Sequence, residues 1–512
     1  MLILRRLPRW PGSSAASACA LILCIFFLFR GLSHLPDLSL PFAGGPSEAV
    51  ESSAFTSQQS AFWRAFYADL IQYAPGCDPV THTKDTHLDI FYNASDHRPR
   101  PDYLTLSGSQ LLQLRTTHAN FTNRLRSLDY TLPYVKRTRG IVTTAGGSYL
   151  PVAVVSIQML RETGSQLPVE VFLASESEWD SQICDVVFPS MNTRCVVLQR
   201  IFDGAGHDKA AQIDKYQYKV MSILFSSFEE VLFMDSDCFP VFDPNEIFDH
   251  EPFTSTGLIL WPDFWFPSES AFFFEIAQIP APAISSRPST ESGEIFYSKS
   301  RHALSLMLAA YYNYYGPDYY YNLQSQGAPG EGDKETFLWG AVVFDEPLYT
   351  VKRGVSAMGY WTTKGEWRGS AMVQFDPVQD LRFHSSLQEP VDKSADPKSP
   401  SQSRNQPRPF FVHANFPKFD PATIFQENAM GATGPTRDAD GTTRRVWQET
   451  ASKAIDMFGF DLERRLWKVI KSIACDYEGT FGVWRGRDDI CENASQYWNA
   501  LFDNHTDHAR FA

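Results

Sequence analysis

Val231-Leu-Phe-Met-Asp-Ser-Asp-Cys-Phe239 is a run of large apolar residues that stops in two aspartates, Asp235 and Asp237. A short, unbroken apolar run reads as a strand buried on both faces, as in parallel sheets covered by helices. The flanking sequence alternates in the same sense. Strands are expected at 140–145, 169–174, 195–198, 257–261 and 295–298, and helices at 152–161, 178–188 and 214–228. That alternation predicts an α/β fold around a mostly parallel central sheet flanked by helices. Such sheets bind ligands at the carboxyl ends of their strands. Two carboxylates at i and i+2, just past a strand end, can converge on one hard cation that takes its remaining ligands from substrate phosphates and water. The competing reading of D-x-D is an ordinary turn or helix cap.

The chain has 512 residues, 43% of them hydrophobic and 14% aromatic, enough for a large core. A formal charge of −14 excludes nucleic acid as a partner, because phosphate backbones are met by basic surfaces. At the N-terminus Arg5, Arg6 and Arg9 precede an apolar stretch at 15–30. Small residues of a cleavage site do not follow it, so it reads as an uncleaved signal anchor with residues 1–14 in the cytosol. Residues 31–60, rich in Ser, Pro, Gly and Ala, read as a stem, and 61–139 as an extension with helical patterns at 62–73 and 110–128. The catalytic α/β unit is expected over 140–440, interrupted by a polar loop at 391–409, with a helical region at 441–512. Sequons at Asn93, Asn120, Asn493 and Asn504 agree with a lumenal location. There, Cys184 with Cys195 and Cys475 with Cys491 are plausible local disulfides, whereas Cys238 reads as a buried thiol.

Four further stretches bear chemistry. Gly146 and Gly147 after the first strand either admit a nucleotide to the backbone or form a plain turn. Lys215 and Lys219, at i and i+4, share a helix face and either reach a phosphate or stay solvated. Asp333, Lys334 and Glu335 either form a charged first helical turn or bring a carboxylate to a sugar ring. His413 follows the strand-like Phe410-Phe-Val, where an imidazole is either structural or completes a manganese site begun by carboxylates.

Eight stretches in order resemble the fungal Golgi α-mannosyltransferases of glycosyltransferase family 71, over roughly residues 138–420. They are Gly140-Ile-Val-Thr-Thr-Ala-Gly-Gly, Leu167-Pro-Val-Glu-Val-Phe, Lys215-Tyr-Gln-Tyr-Lys, Ser226-Ser-Phe-Glu-Glu-Val-Leu-Phe-Met-Asp-Ser-Asp, Gly257-Leu-Ile-Leu-Trp-Pro-Asp-Phe-Trp, Glu291-Ser-Gly, Gly332-Asp-Lys-Glu-Thr-Phe and His413-Ala-Asn-Phe-Pro-Lys. The α-1,2 branch acting on outer-chain mannan is the nearest in pattern, and the α-1,3 branch its neighbour.

The resemblance implies a GT-A fold, GDP-mannose as donor, Mn²⁺ as cofactor, mannan or N-glycan acceptors, transfer with retention and type II topology in the Golgi membrane. It matches Asp235, Asp237 and His413 to metal ligands, and Thr143, Thr144, Ser236 and Lys219 to donor contacts. It places Asp333 and Glu335 near the transferred sugar, as the catalytic candidates. Cys238 departs from the polar residue related chains carry there. Competing readings are a non-catalytic scaffold subunit of a Golgi mannosyltransferase complex and a transferase using another donor, such as UDP-galactose.

Overall fold

A computed structural model describes residues 46–503 apart from 84–87, 207–212, 331, 363, 389–405, 427–434, 439 and 448–455. The expected anchor at 15–30 lies outside these residues, as does most of the polar loop at 391–409. Among the described residues no helix is long and apolar enough to cross a membrane.

Helices α1 (Pro46–Gln72) and α2 (Gly108–Arg126) precede the sheet. The first half of the sheet unit runs β1 (Val135–Thr144), α3 (Leu150–Glu162), β2 (Val169–Leu173), β3 (Thr193–Val197), α4 (Gln217–Phe225), β4 (Phe228–Met234) and β5 (Cys238–Pro240). The second runs β6 (Leu258–Pro262), β7 (Thr290–Ser298), α5 (Ala303–Tyr314), α6 (Thr336–Phe344) and β8 (Tyr349–Thr350). Then come β9 (Ser356–Trp361), β10 (Trp367–Phe375), α7 (Pro377–Gln388), β11 (Pro409–His413), α8 (Leu462–Tyr477) and α9 (Ile490–Leu501).

The central sheet has seven strands in the order β8-β6-β7-β4-β1-β2-β3. All neighbours are parallel except β7, which runs against both β4 and β6. Alternate residues of one strand enter separate cores. Leu232 and Met234 face a core shared with α3, α8 and α9, while Val231 and Phe233 face one shared with α1, α2, α4, α5 and α6. Burial on both faces is why the β4 sequence is continuously apolar instead of alternating. A second, antiparallel sheet of order β9-β10-β11-β5 stands beside it.

Several elements depart from the sequence expectation. The helix expected at 178–188 is a short turn at Glu176–Glu178, then a wide turn at Ile183–Val187. The Asp180 carboxylate accepts the N–H groups of Gln182 and Ile183 at 3.0 and 3.2 Å, and so starts the coil later. The helix expected at 214–228 is shortened to α4 and is buried nearly all round, not amphipathic. Lys215 sits before it in a left-handed conformation, with φ of 48°, so Lys215 and Lys219 do not share a helix face. Helix α1 reaches back to Pro46, into the stretch read as stem, and Gln59 and Ser60 are buried. The disulfides Cys184–Cys195 and Cys475–Cys491 are formed, and Cys238 is a buried thiol. Asn93 and Asn120 are exposed, Asn493 is partly buried, and Asn504 lies outside the described residues.

Candidate active site

The site lies where β1 and β4 end and the antiparallel β7 begins. Asp235 continues the sheet by one bond, its N–H donating to the Gly293 carbonyl at 2.8 Å. The chain then turns, the Cys238 N–H donating back to the Asp235 carbonyl at 2.9 Å, and enters β5. Strand β11 pairs with β5 so that His413 stands opposite Cys238. The Ala414 N–H donates to the Asp237 carbonyl at 2.9 Å. The second sheet thereby places His413 against the aspartate turn.

One ligand atom from each of Asp235, Asp237 and His413 lies within 4.8 Å of the other two. Nε2 of His413 is 3.2 Å from Asp237 Oδ1 and 3.9 Å from Asp235 Oδ2. Two carboxylates and one imidazole fit a hard or borderline divalent cation that keeps further positions for phosphate oxygens. On the far side of the ring, His413 Nδ1 is 3.1 Å from Glu291 Oε1. A carboxylate behind an imidazole fixes its tautomer and orientation for a ligand in front. Gly293 makes room for this pair: a Cβ there would lie 2.5 Å from His413 Nδ1 and 2.8 Å from Glu291 Oε1. Burial opposes charge on His413, but Asp237 and Glu291 outweigh it and raise the imidazole well above its ordinary value. Burial likewise opposes ionisation of Asp237, yet His413 and Lys418 hold its carboxyl well below the usual range. Lys418 is an ion-pair partner of Asp237.

Lys219, on the first turn of α4, is buried beneath Asp235. Its ammonium donates to the Ser292 carbonyl at 2.7 Å and Ser292 Oγ at 2.8 Å, and lies 3.3 Å from both Asp235 and Asp333. Three N–H donors are thus committed within the protein, so Lys219 neutralises and positions the carboxylates. Burial lifts Asp333 to about 6, against the pull of Lys219.

These residues line a cleft of about 990 Å³. Thr144, Ser236, Lys219 and Asp333 line it together with the three cation-binding candidates and Glu291. Thr143 does not. It is buried one residue back on β1, and its hydroxyl has no hydrogen-bond partner. Glu335 also lies away from the cleft: its carboxylate pairs with Arg287 at 2.9 Å and accepts the Thr290 N–H at 2.8 Å. It anchors the turn before α6 to the start of β7, which corrects its expected place beside the sugar. The charged triplet is buried ahead of the helix, and Lys334 pairs with Asp263 at 2.9 Å. In the sequence Glu291 stands out only within the stretch Glu291-Ser-Gly. A glutamate two residues before a glycine in a strand carries no local sign that it braces a histidine more than a hundred residues away.

The family model described as "Mannosyltransferase putative" matches residues 138–287 and 283–376. The α-1,2-mannosyltransferase MNN21 of Candida albicans is 31% identical, over 78% of this chain and 67% of that protein. The α-1,2-mannosyltransferase MNN2 of Saccharomyces cerevisiae is 27% identical, over 88% of this chain and 84% of that protein. Among solved structures, the glycosyltransferase GlyE of Streptococcus pneumoniae TIGR4 aligns with 42% of this chain and 45% of that chain at 12% identity, with a TM-score of only 0.28. The chain belongs to this mannosyltransferase family, a family of glycosyltransferases.

Proposed function

We propose that the cleft transfers mannose from GDP-mannose to a mannan or N-glycan outer-chain acceptor, forming an α-1,2 linkage with retention, on a GT-A type scaffold. The observation that carries this reading is the convergence of Asp235, Asp237 and His413 at the end of β4, in a chain whose family is defined by mannosyl transfer. The relatives named as α-1,2-mannosyltransferases support the linkage.

Asp235, Asp237 and His413 would hold Mn²⁺, which as a Lewis acid offsets charge building on the departing diphosphate. Glu291 aims the imidazole. Lys219 holds Asp235 in place and balances its charge, and Lys215 and Lys418 add positive charge to the cleft wall. In the transfer the anomeric C–O bond to the diphosphate breaks and the acceptor oxygen bonds the same carbon. For retention the acceptor hydroxyl approaches on the face the diphosphate leaves, so its proton passes to the departing phosphate oxygen. Asp333, the carboxylate of the acidic triplet that faces the cleft, positions or polarises the sugar. We place the chain in the Golgi membrane as a single-pass type II protein with this unit in the lumen, on the strength of the basic flank and apolar run at its N-terminus.

The test is incubation with GDP-mannose or UDP-galactose, Mn²⁺ and an α-1,6-linked mannan acceptor, followed by linkage analysis. A new α-1,2-linked mannose from GDP-mannose alone supports the reading. An α-1,3 product, transfer from UDP-galactose, or no transfer at all overturns it.

A further inference from the structure

Among the described residues five large aromatic side chains are exposed: Phe91, Tyr149, Tyr216, Trp361 and Phe416. Four of them line the cleft. The fifth, Trp361, has its ring centroid 5.5 Å from that of Trp367, which also lines it. Exposed aliphatic side chains such as Ile71, Leu112 and Val483 line no part of it. Scattered exposed apolar residues need no explanation, but the gathering of four exposed rings at one opening, with the fifth against a ring that lines it, marks a binding surface.

Two ring pairs are held in place by backbone pairing. Phe91 is 66% exposed, yet its segment is fixed. The Tyr92 N–H donates to the Phe264 carbonyl at 2.7 Å, and the Phe266 N–H donates to the Ile90 carbonyl at 3.1 Å. Phe91 thereby stacks on Trp265, with centroids 4.8 Å apart and planes 23° from parallel. In the β9–β10 hairpin, Trp361 stands directly opposite Trp367, a cross-strand pair at the strand ends. Neither pair comes from β1, α4 or β4, the elements that carry Thr144, Lys219 and the end of the aspartate strand. Trp361 also stands outside the cleft lining, where a ligand confined to the cleft would not reach it.

We infer that the Phe91–Trp265 pair, and the Trp361–Trp367 pair whose planes stand 58° apart, are subsites for the acceptor, aromatic surfaces against which rings of an α-linked oligomannoside pack while its terminal sugar enters the cleft. The inference rests on the mannosyltransferase reading. A neutral sugar chain offers no charge to recognise. Its pyranose rings present apolar C–H faces edged by hydroxyls, and rigid aromatic rings match these at small cost in conformational entropy. A polymer that extends beyond the cleft accounts for a platform outside it, whereas a nucleoside diphosphate held at the aspartates does not.

The test is calorimetric titration of the full chain in detergent with α-linked mannotetraose and, separately, with GDP plus Mn²⁺. Phe91→Ala and Trp361→Ala should each weaken tetraose binding about five- to tenfold, with GDP affinity held within about twofold. Phe91→Tyr and Trp361→Tyr, which keep a flat ring, should restore it, and equal thermal midpoints exclude unfolding as the cause. Tetraose affinity indifferent to both alanine variants, no tetraose binding to the wild type, or loss of GDP affinity instead overturns the inference. Tetraose binding that the variants weaken, in a protein that moves no mannose from GDP-mannose, leaves the platforms standing and removes the donor reading.

Discussion

Glu291 Oε1 lies 3.1 Å from His413 Nδ1 and also accepts the Gly293 N–H at 2.7 Å, so the carboxylate is fixed before it fixes the imidazole. Glu291→Gln should lower affinity for Mn²⁺ by about 10–100-fold, the usual cost of losing a carboxylate behind a ligating histidine. Gly293→Ala should act the same way, since its Cβ would lie 2.5 Å from Nδ1. Electron paramagnetic resonance of bound Mn²⁺ reads both. Wild-type affinity in the two variants would show that His413 is not a ligand.

Asp235→Ala or Asp237→Ala should reduce transfer by about a thousandfold or more, because several kcal/mol of charge stabilisation is at stake. Asp235 pairs with the buried Lys219, and the buried Asp237 pairs with His413 and Lys418, so each variant should also lower the thermal midpoint, while far-UV circular dichroism should still report a folded protein. Full activity of either variant in a GDP-mannose assay would refute the cation reading.

The adjacent acids of the 333–335 triplet should separate cleanly. Glu335→Gln disturbs a buried cluster with Arg287 and Glu269, and should cost about 3 kcal/mol of stability in urea unfolding. Asp333→Asn replaces a group that burial already lifts to about 6, so its cost should appear in kcat/KM, with stability close to wild type. The reverse pattern would return Glu335 to the chemistry.

His118 provides a pH signature. It is fully buried, its Nε2 is 2.7 Å from the Tyr312 hydroxyl, and burial pushes it down to about 4. Between about pH 6.5 and 4 the unfolded chain binds a proton that the folded chain refuses. Stability is therefore lost as pH falls through that window, by about 3 kcal/mol from this residue. His118→Phe should be less stable than wild type at pH 7.5 by about 1–2 kcal/mol, through the orphaned Tyr312 hydroxyl. The gap should narrow or reverse at pH 4.5. Denaturant unfolding at the two pH values decides it, and a gap that does not change with pH would contradict the assignment.

The elements legible in the sequence were those whose physics is local. The apolar run of β4, its aspartate tip and the helical spacing of α3 all appear where their patterns place them. What escaped depended on distant partners. Nothing near Ser356–Trp361 or Trp367–Phe375 indicates that these segments form a sheet with β11 and β5. Lys215 and Lys219 read as a pair on one helix face, either reaching a phosphate or solvated, because helix periodicity extends through Lys215 in the sequence. The left-handed turn there, and the packing of α4 between the sheet and α5, are tertiary facts. Thr143 and Glu335 carry side chains of the right chemistry, but a one-residue alternation along a strand or turn aims them away from the cleft.

The pairing of β11 with β5 has a temporal consequence. The two aspartates leave the ribosome long before His413 does, and the strand that delivers the histidine is the last of the second sheet to be made. A chain halted in the 389–405 segment would carry both carboxylates but neither His413 nor α8 and α9, which cover one face of the seven-stranded sheet. Closure of this centre is therefore a late event of synthesis, and a nascent or truncated form would lack both the histidine and the helices that complete the core on that face of the sheet.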